Sequence, residues 1–241
     1  MYILAIETTG AFASVALAKD GKTVSKTYGR DRFSHLQNLA PQIEQVLKKG
    51  AAHALSINDM DAIAVSCGPG SFTGIRIGVS TVRALVQVTG VKCVPVSSLE
   101  ALAMKGAAVT DPEGVLFCPI LDARRGQVYG GGYVIEEGYP VEKVKAKPYT
   151  IEELTAELSP YKKVYFLGDG IDAYADNIEE YRTGGDTEYA PEEVRYQDAV
   201  YVAKLAEKLL HDGRSCSWEE LQPEYMRLAE AERKLKEKWQ K

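Results

Sequence analysis

The residues best placed to do chemistry lie in one run, 66–78, which reads S-C-G-P-G-S-F-T-G-I-R-I-G. Gly68, Gly70 and Gly74 stand between an apolar run and a helical one, with Ser71 and Thr73 supplying hydroxyls. Glycine reaches positive φ without a Cβ penalty, and the free N–H groups that open a helix favour an anion. The run is not a P-loop, because no Gly-Lys-Ser/Thr closes it. Its G-x-G-x-x-x-G spacing also differs from the dinucleotide-binding G-x-G-x-x-G. Two readings stand. One is an anion cradle; the simpler one is a tight strand-to-helix turn whose glycines allow close packing.

Other polar groups could join it. Glu7-Thr8-Thr9-Gly10 is a polar turn able to grip an anion or merely reverse the chain. Gly168-Asp169-Gly170 suits either a second phosphate turn or a plain turn with Asp169 as a helix cap, and its carboxylate would repel phosphate unless a metal intervened. Arg124 and Arg125, within D-A-R-R-G, can clamp phosphate or pair with nearby carboxylates. Arg76 and Arg83 lie seven apart on one helix and so share a face, better suited to a subunit contact than to catalysis. Tyr225 and Arg227 read as anchors for the C-terminal segment. H-E-x-x-H is absent, which disfavours a metallopeptidase. Cys67, Cys93, Cys118 and Cys216 form no C-x-x-C pair, so neither a zinc knuckle nor a disulfide scaffold is indicated.

These residues need elements to hold them. Strands are expected over 2–6, 13–18 and 23–28, joined by tight turns that include Asp20-Gly21, as an antiparallel meander. A helix follows from Ser34, with Leu36, Leu39, Ala40, Ile43, Val46 and Leu47 at three- and four-residue spacing and a kink at Pro41. Strand 61–66, helix 75–88, strand 92–96 and helix 99–108 complete a first lobe, 1–109. Residues 110–114 read as a linker. Strands over 115–121, 126–136, 141–147 and 163–167, with helices over 151–158, 172–181 and 198–210, give a second, smaller lobe, 110–223. Residues 183–191 read as loop. An exposed helix over 226–239, rich in Glu and Lys, is expected to rejoin the first lobe within 224–241. No internal sequence repeat is visible. The order predicts an α/β fold with mixed sheets flanked by helices.

Composition bounds the function. Twenty-nine basic against 34 acidic side chains leave a net charge of -5, which excludes a wholesale basic nucleic-acid binder. Apolar stretches of about seven or eight residues fall short of the roughly 20 that a membrane helix needs. The N-terminus lacks a basic n-region and carries Glu7 where a signal peptide stays apolar, so a soluble, cytoplasmic protein is expected.

With the elements placed, the block G-P-G-S-F-T-G-I-R-I-G at 68–78 resembles the signature of the bacterial TsaB (YeaZ) family of tRNA threonylcarbamoyladenosine biosynthesis proteins. Supporting segments are I-L-A-I-E-T-T with A-S-V-A-L, S-H-L-Q-N-L-A-P, L-D-A-R-R-G-Q-V-Y and P-E-Y-M-R-L-A-E, in order along most of the chain. The resemblance implies an actin-like, Hsp70-like ATPase fold of the ribonuclease H-like kind, with two lobes. It implies a non-catalytic partner of the related enzyme TsaD, with the ATPase TsaE completing the assembly. That assembly places threonylcarbamoyl on N6 of adenosine 37 in tRNAs reading codons that begin with A. ATP and a metal ion are then expected on the partner subunits, with no cofactor on this chain, a homodimer in isolation, and tRNA reached mainly through the complex.

The catalytic relative binds metal through a helical His-x-x-x-His pair, of which this chain keeps His35 but has Leu39 at the second position. The first two long helices are expected to build the docking surface, with His35, Leu36, Leu39 and Ile43 on one and Arg76, Val79, Val82, Arg83 and Val86 on the other. The alternative is a stand-alone ATP-dependent small-molecule kinase of the same fold, which needs an acidic base in the cleft between the lobes.

Overall fold

The computed structural model describes residues 1–29, 32, 34–50 and 54–227. Strands β1 (Tyr2–Glu7), β2 (Ser14–Lys19) and β3 (Lys22–Tyr28) form the expected meander. Helix α1 (His35–Lys49), β4 (Ala62–Gly68), α2 (Phe72–Thr89), β5 (Lys92–Ser97) and α3 (Ser98–Ala107) follow. The second half repeats the pattern with β6 (Leu116–Asp122), β7 (Gln127–Glu136), β8 (Tyr139–Thr150), α4 (Ile151–Glu157), β9 (Lys163–Leu167), α5 (Gly170–Tyr181) and β10 (Asp186–Tyr189). A short α6 (Glu192–Arg195) and α7 (Ala199–His211) complete the described helices.

The sheets run β3-β2-β1-β4-β5 and β8-β7-β6-β9-β10. In each, the first strand pairs antiparallel with the second and parallel with the fourth. The two halves therefore share one topology although the sequence shows no repeat.

Why β1 is almost wholly apolar is plain from its two faces. Leu4 and Ile6 pack with α1 and α2, while Ile3 and Ala5 pack with α7. A strand covered on both sides reads as a continuous apolar run. The face toward α7 is built from small residues, Ala5, Ala16, Ala62 and Ala64 against Ala199, Ala203 and Ala206, which lets that helix lie close.

The last helix of each half crosses to the other. Leu99, Leu102 and Ala103 of α3 pack with Phe117, Tyr133 and Leu167 of the second sheet. In return, Val202, Leu205 and Leu209 of α7 pack on the first. Residues 199–223, expected with the second lobe, thus lie on the first: the chain from Cys216 bridges Cys93 of β5, and Leu221 is fully buried in the first core. Sequence order misleads here because an amphipathic stripe does not say which sheet covers it. The Cys93 and Cys216 sulfurs lie 3.4 Å apart as free thiols.

Other expectations need correction. Residues 183–191 contain β10, a four-residue edge strand parallel to β9 whose D-T-E-Y sequence is partly solvated and so lacks an apolar signature. Helix α1 runs through Pro41, which sits on its exposed side. Helix α2 starts three residues early because Ser71 caps it, accepting from the Gly74 N–H. The helix expected over 226–239 lies outside the described residues beyond Arg227.

The docking stripe is also revised. Leu39, Ile43, Val79, Val82 and Val86 are all buried in one core with Leu4, Ile6 and Val65. They cannot meet a partner, because a five-stranded sheet needs both helices to cover its face. Each such side chain contributes about 1.5–3 kcal/mol by leaving water. The exposed share is Leu36, at 78% accessibility, with Phe72 and Val88.

Candidate functional site

The parallel strands β1 and β4 end beside each other, as do β6 and β9, and the loops leaving them face one another across a cleft of about 300 Å³. Ligands of open α/β sheets settle at such carboxyl ends. One wall comes from the first lobe: the turn at Thr9, Gly10 and Ala11, and the glycine loop at Gly70, Ser71 and Phe72.

That loop is welded to the turn. The Ser71 N–H donates to the Thr9 carbonyl at 2.7 Å, and the Thr8 hydroxyl donates to the Gly74 carbonyl at 2.8 Å. A Cβ on Gly74 would stand 1.9 Å from the Thr8 carbonyl oxygen. Of the two readings of the loop, close packing accounts for Gly74, and the Ser71 amide is already engaged. Gly70, Ser71 and Gly74 therefore form a unit with Thr8 and Thr9, while Gly68 abuts the Glu224 carbonyl and Thr73 is exposed.

Beneath the turn lies Glu7, fully buried. Its carboxylate accepts from the Thr9 N–H at 2.5 Å, the Thr9 hydroxyl at 2.6 Å and the Ser66 hydroxyl. Burial pushes its pKa above the usual carboxylate range, partly offset by those donors. His35, also buried, faces the Gly10 carbonyl through Nε2 at 3.0 Å. A carbonyl only accepts, so Nε2 carries the proton. Burial holds this histidine below its ordinary pKa. His35 thus pins the turn to α1, while Leu39, where a second ligand would stand, is in the core.

The opposite wall is acidic. Asp122 ends β6, and its carboxylate accepts from the Arg124 N–H at 2.8 Å and pairs with the Arg124 guanidinium at 3.1 Å. Arg124 and Arg125 both adopt left-handed backbone, φ 63 and 60, a conformation costing on the order of 1 kcal/mol or more at each non-glycine residue. Asp169 accepts from the Asp122 N–H at 3.0 Å. Burial, with the neighbouring Asp122 charge, raises its pKa. A triphosphate entering here meets two carboxylates and one arginine already paired.

Sequence reading passed over some of these groups. Asp122 was overshadowed by the arginines beside it. Gln197 gives no signal, yet its buried side chain lies over Gly10 and its Oε1 has no hydrogen-bond partner among the described residues. At the cleft mouth Phe72 stacks on Tyr225, ring centroids 4.8 Å apart. The Arg76 guanidinium lies 4.0 Å from the Phe72 centroid, and its Nε donates to the Tyr225 hydroxyl. Tyr225 thus fastens the tail to α2, and the Arg227 guanidinium donates to the Ala123 carbonyl at 2.9 Å, which carries the tail across to the second lobe. Arg83 sits over Trp218 of the same tail.

Two lobes of one topology, facing each other across a cleft at their strand ends, define the actin-like class of the ribonuclease H-like fold. Solved structures agree. YeaZ from Pseudomonas aeruginosa superposes with a TM-score of 0.80 at 24% identity, covering 93% of this chain and 99% of that one. The ROK hexokinase from Thermus thermophilus shares the fold at a TM-score of 0.51 and 12% identity, covering 88% and 100%. The profile of the family described as TsaD, tRNA N6-adenosine threonylcarbamoyltransferase, matches residues 32–235. The tRNA threonylcarbamoyladenosine biosynthesis protein TsaB of Bacillus subtilis is 30% identical over 97% of each chain, and that of Escherichia coli 30% identical over 98%. The chain belongs to the TsaB (YeaZ) family, within the wider group that the TsaD profile describes.

Proposed function

We propose that this chain serves tRNA threonylcarbamoyladenosine biosynthesis as a non-catalytic subunit that binds and activates TsaD, acting together with TsaE. The observation that carries the reading is similarity along nearly the whole length to proteins named for that pathway. The stand-alone kinase has carboxylates in the cleft, Asp122 and Asp169, but otherwise only a likeness of fold, at 12% identity to the ROK hexokinase, so the near-full-length similarity favours the first reading. ATP and the metal ion belong, on this reading, to the partner subunits.

The docking surface is narrower than the helix pattern suggested. Leu36 on α1 and the Phe72–Arg76–Tyr225 stack on α2 supply an exposed apolar and aromatic anchor of the kind that dominates protein interfaces. In the free protein the same face would pair two copies. Binding would act by shifting TsaD toward its active arrangement rather than by adding chemistry.

Reconstitution with TsaD, TsaE, the synthase and tRNA tests the reading. Modified adenosine should form only when this chain is present, and equal product without it would refute the proposal. Within that assay Leu36→Arg should fold normally and weaken TsaD binding about tenfold. Leu39→Arg should instead fail to fold, because it buries an unpaired charge.

A further inference from the structure

A second cavity, about 580 Å³, shares no lining residue with the cleft. It lies where the halves meet, between the edge strand β3, helix α3, and the segment that carries α6 to α7. Its wall includes Lys105, only 7% exposed. The Lys105 ammonium donates to the Tyr196 carbonyl at 2.7 Å, and among the described residues no carboxylate lies within ion-pair distance of it. An ammonium has three donors, and an uncompensated buried charge is costly.

The groups around Lys105 do not neutralise it. Lys26 on β3 adds like charge, and desolvation already holds the Lys105 pKa below its ordinary value. Asp198, in the same wall, attracts it without forming an ion pair, and the Asp198 carboxylate also caps α7 through the Val200 N–H at 2.9 Å. The Tyr28 hydroxyl is turned to the Gln197 carbonyl. Thr27, in the same wall, has a buried hydroxyl oxygen with no hydrogen-bond partner among the described residues. A cation and a hydroxyl, both under-satisfied among the described residues and both belonging to residues that line one cavity, ask for a further acceptor.

The opposite rim narrows its identity. Glu192 and Glu193 of α6 are exposed there and oppose a multiply charged anion. We propose that this cavity binds a small organic monocarboxylate, whose oxygens accept from the Lys105 ammonium and the Thr27 hydroxyl. The ligand supplies the missing counter-charge, and binding is strongest when Lys105 is protonated. The site is independent of the role proposed for the chain in tRNA modification.

The test uses the full chain with lysines labelled at Cε, followed by NMR at constant ionic strength, the Lys105 signal being assigned by its loss in Lys105→Met. Sodium acetate should move that signal saturably and raise its apparent pKa by about half a unit or more. Inorganic phosphate should bind about tenfold more weakly, given the two rim glutamates. Thr27→Val should weaken acetate binding with little change in Tm. Without ligand, Lys105→Met should melt at the same temperature or higher, since it removes an unpaired buried charge. Absence of a saturable acetate response overturns the proposal, and so does phosphate binding as tight as acetate. A marked fall in the Tm of Lys105→Met would overturn it as well, by making the lysine a structural tie between the halves.

Discussion

In the first lobe, the first turn of α2, just after the loop leaving β4, presses on the backbone of the turn leaving β1; in the second, the loop leaving β9 presses on the Ile120 carbonyl of β6. The close approach is the same, with a Cβ on Gly74 at 1.9 Å from Thr8 and one on Gly168 at 2.1 Å from Ile120. What the two walls present to the cleft is not the same. The first offers backbone and hydroxyls over a buried Glu7, whereas the second offers Asp122 and Asp169 with an arginine tied down by its neighbour. Shared topology has therefore fixed where the loops meet, while the side chains make the two walls differ in polarity and charge. The cleft thus keeps the place of a ligand site in this fold, with an acidic second wall.

If backbone contact is the common principle, the largest effects should come from adding one carbon at the paired glycines. Gly74→Ala and Gly168→Ala should each lower stability by about 2–3 kcal/mol, since each forces a backbone carbonyl aside. Gly168 carries the further strain of φ +99. Urea unfolding measures both, and an undisturbed Gly168→Ala would end the equivalence of the lobes.

The carboxylates sharpen the contrast at the next level. Glu7 and Asp169 both have raised folded-state pKa values, so the folded protein holds these protons more tightly than the unfolded chain does. Their contribution is full below the unfolded values, 4.5 and 3.8, and is lost as pH rises through the folded ones. Glu7→Gln and Asp169→Asn should therefore gain stability relative to the wild type at pH 7 compared with pH 4. Asp122→Asn should lower the Asp169 pKa and leave Glu7 unmoved, because only Asp169 senses that charge among its chief causes. Carboxyl carbon NMR titration separates the two.

The smallest effect concerns the pin on the first turn. His35 has a lowered folded pKa, so its contribution is full above the ordinary value of 6.5 and fades as pH falls below it. His35→Gln keeps a donor for the Gly10 carbonyl but cannot protonate. It should flatten the stability loss between pH 7 and 5, as followed by thermal melts. The second lobe has no histidine among its described residues and should show no matching component.

Much of this architecture was legible in the residues. The meander, the alternation of helices and strands, and the glycine loop between β4 and α2 followed from apolar runs, turn residues and periodicity. β1 announced its double burial by being apolar as far as Glu7. The short β10 did not announce itself, because an edge strand buries too little to need apolar residues. Asp122 and Asp169 were visible as letters, but nothing in their spacing says that 47 residues of chain return one carboxylate to the other's backbone N–H.

By itself, then, the sequence determined the order of the longer strands and helices, the family, and which helix faces are apolar. Only the tertiary structure decided what covers those faces. It turned Leu39 and Val82 inward and left Leu36 in solvent. It sent α7 back to the first sheet and α3 to the second. It also enclosed Lys105 in a wall made from both halves. The physical reason is that periodicity encodes a demand for burial along one element, whereas the partner meeting that demand is chosen by chain closure and packing among all of them.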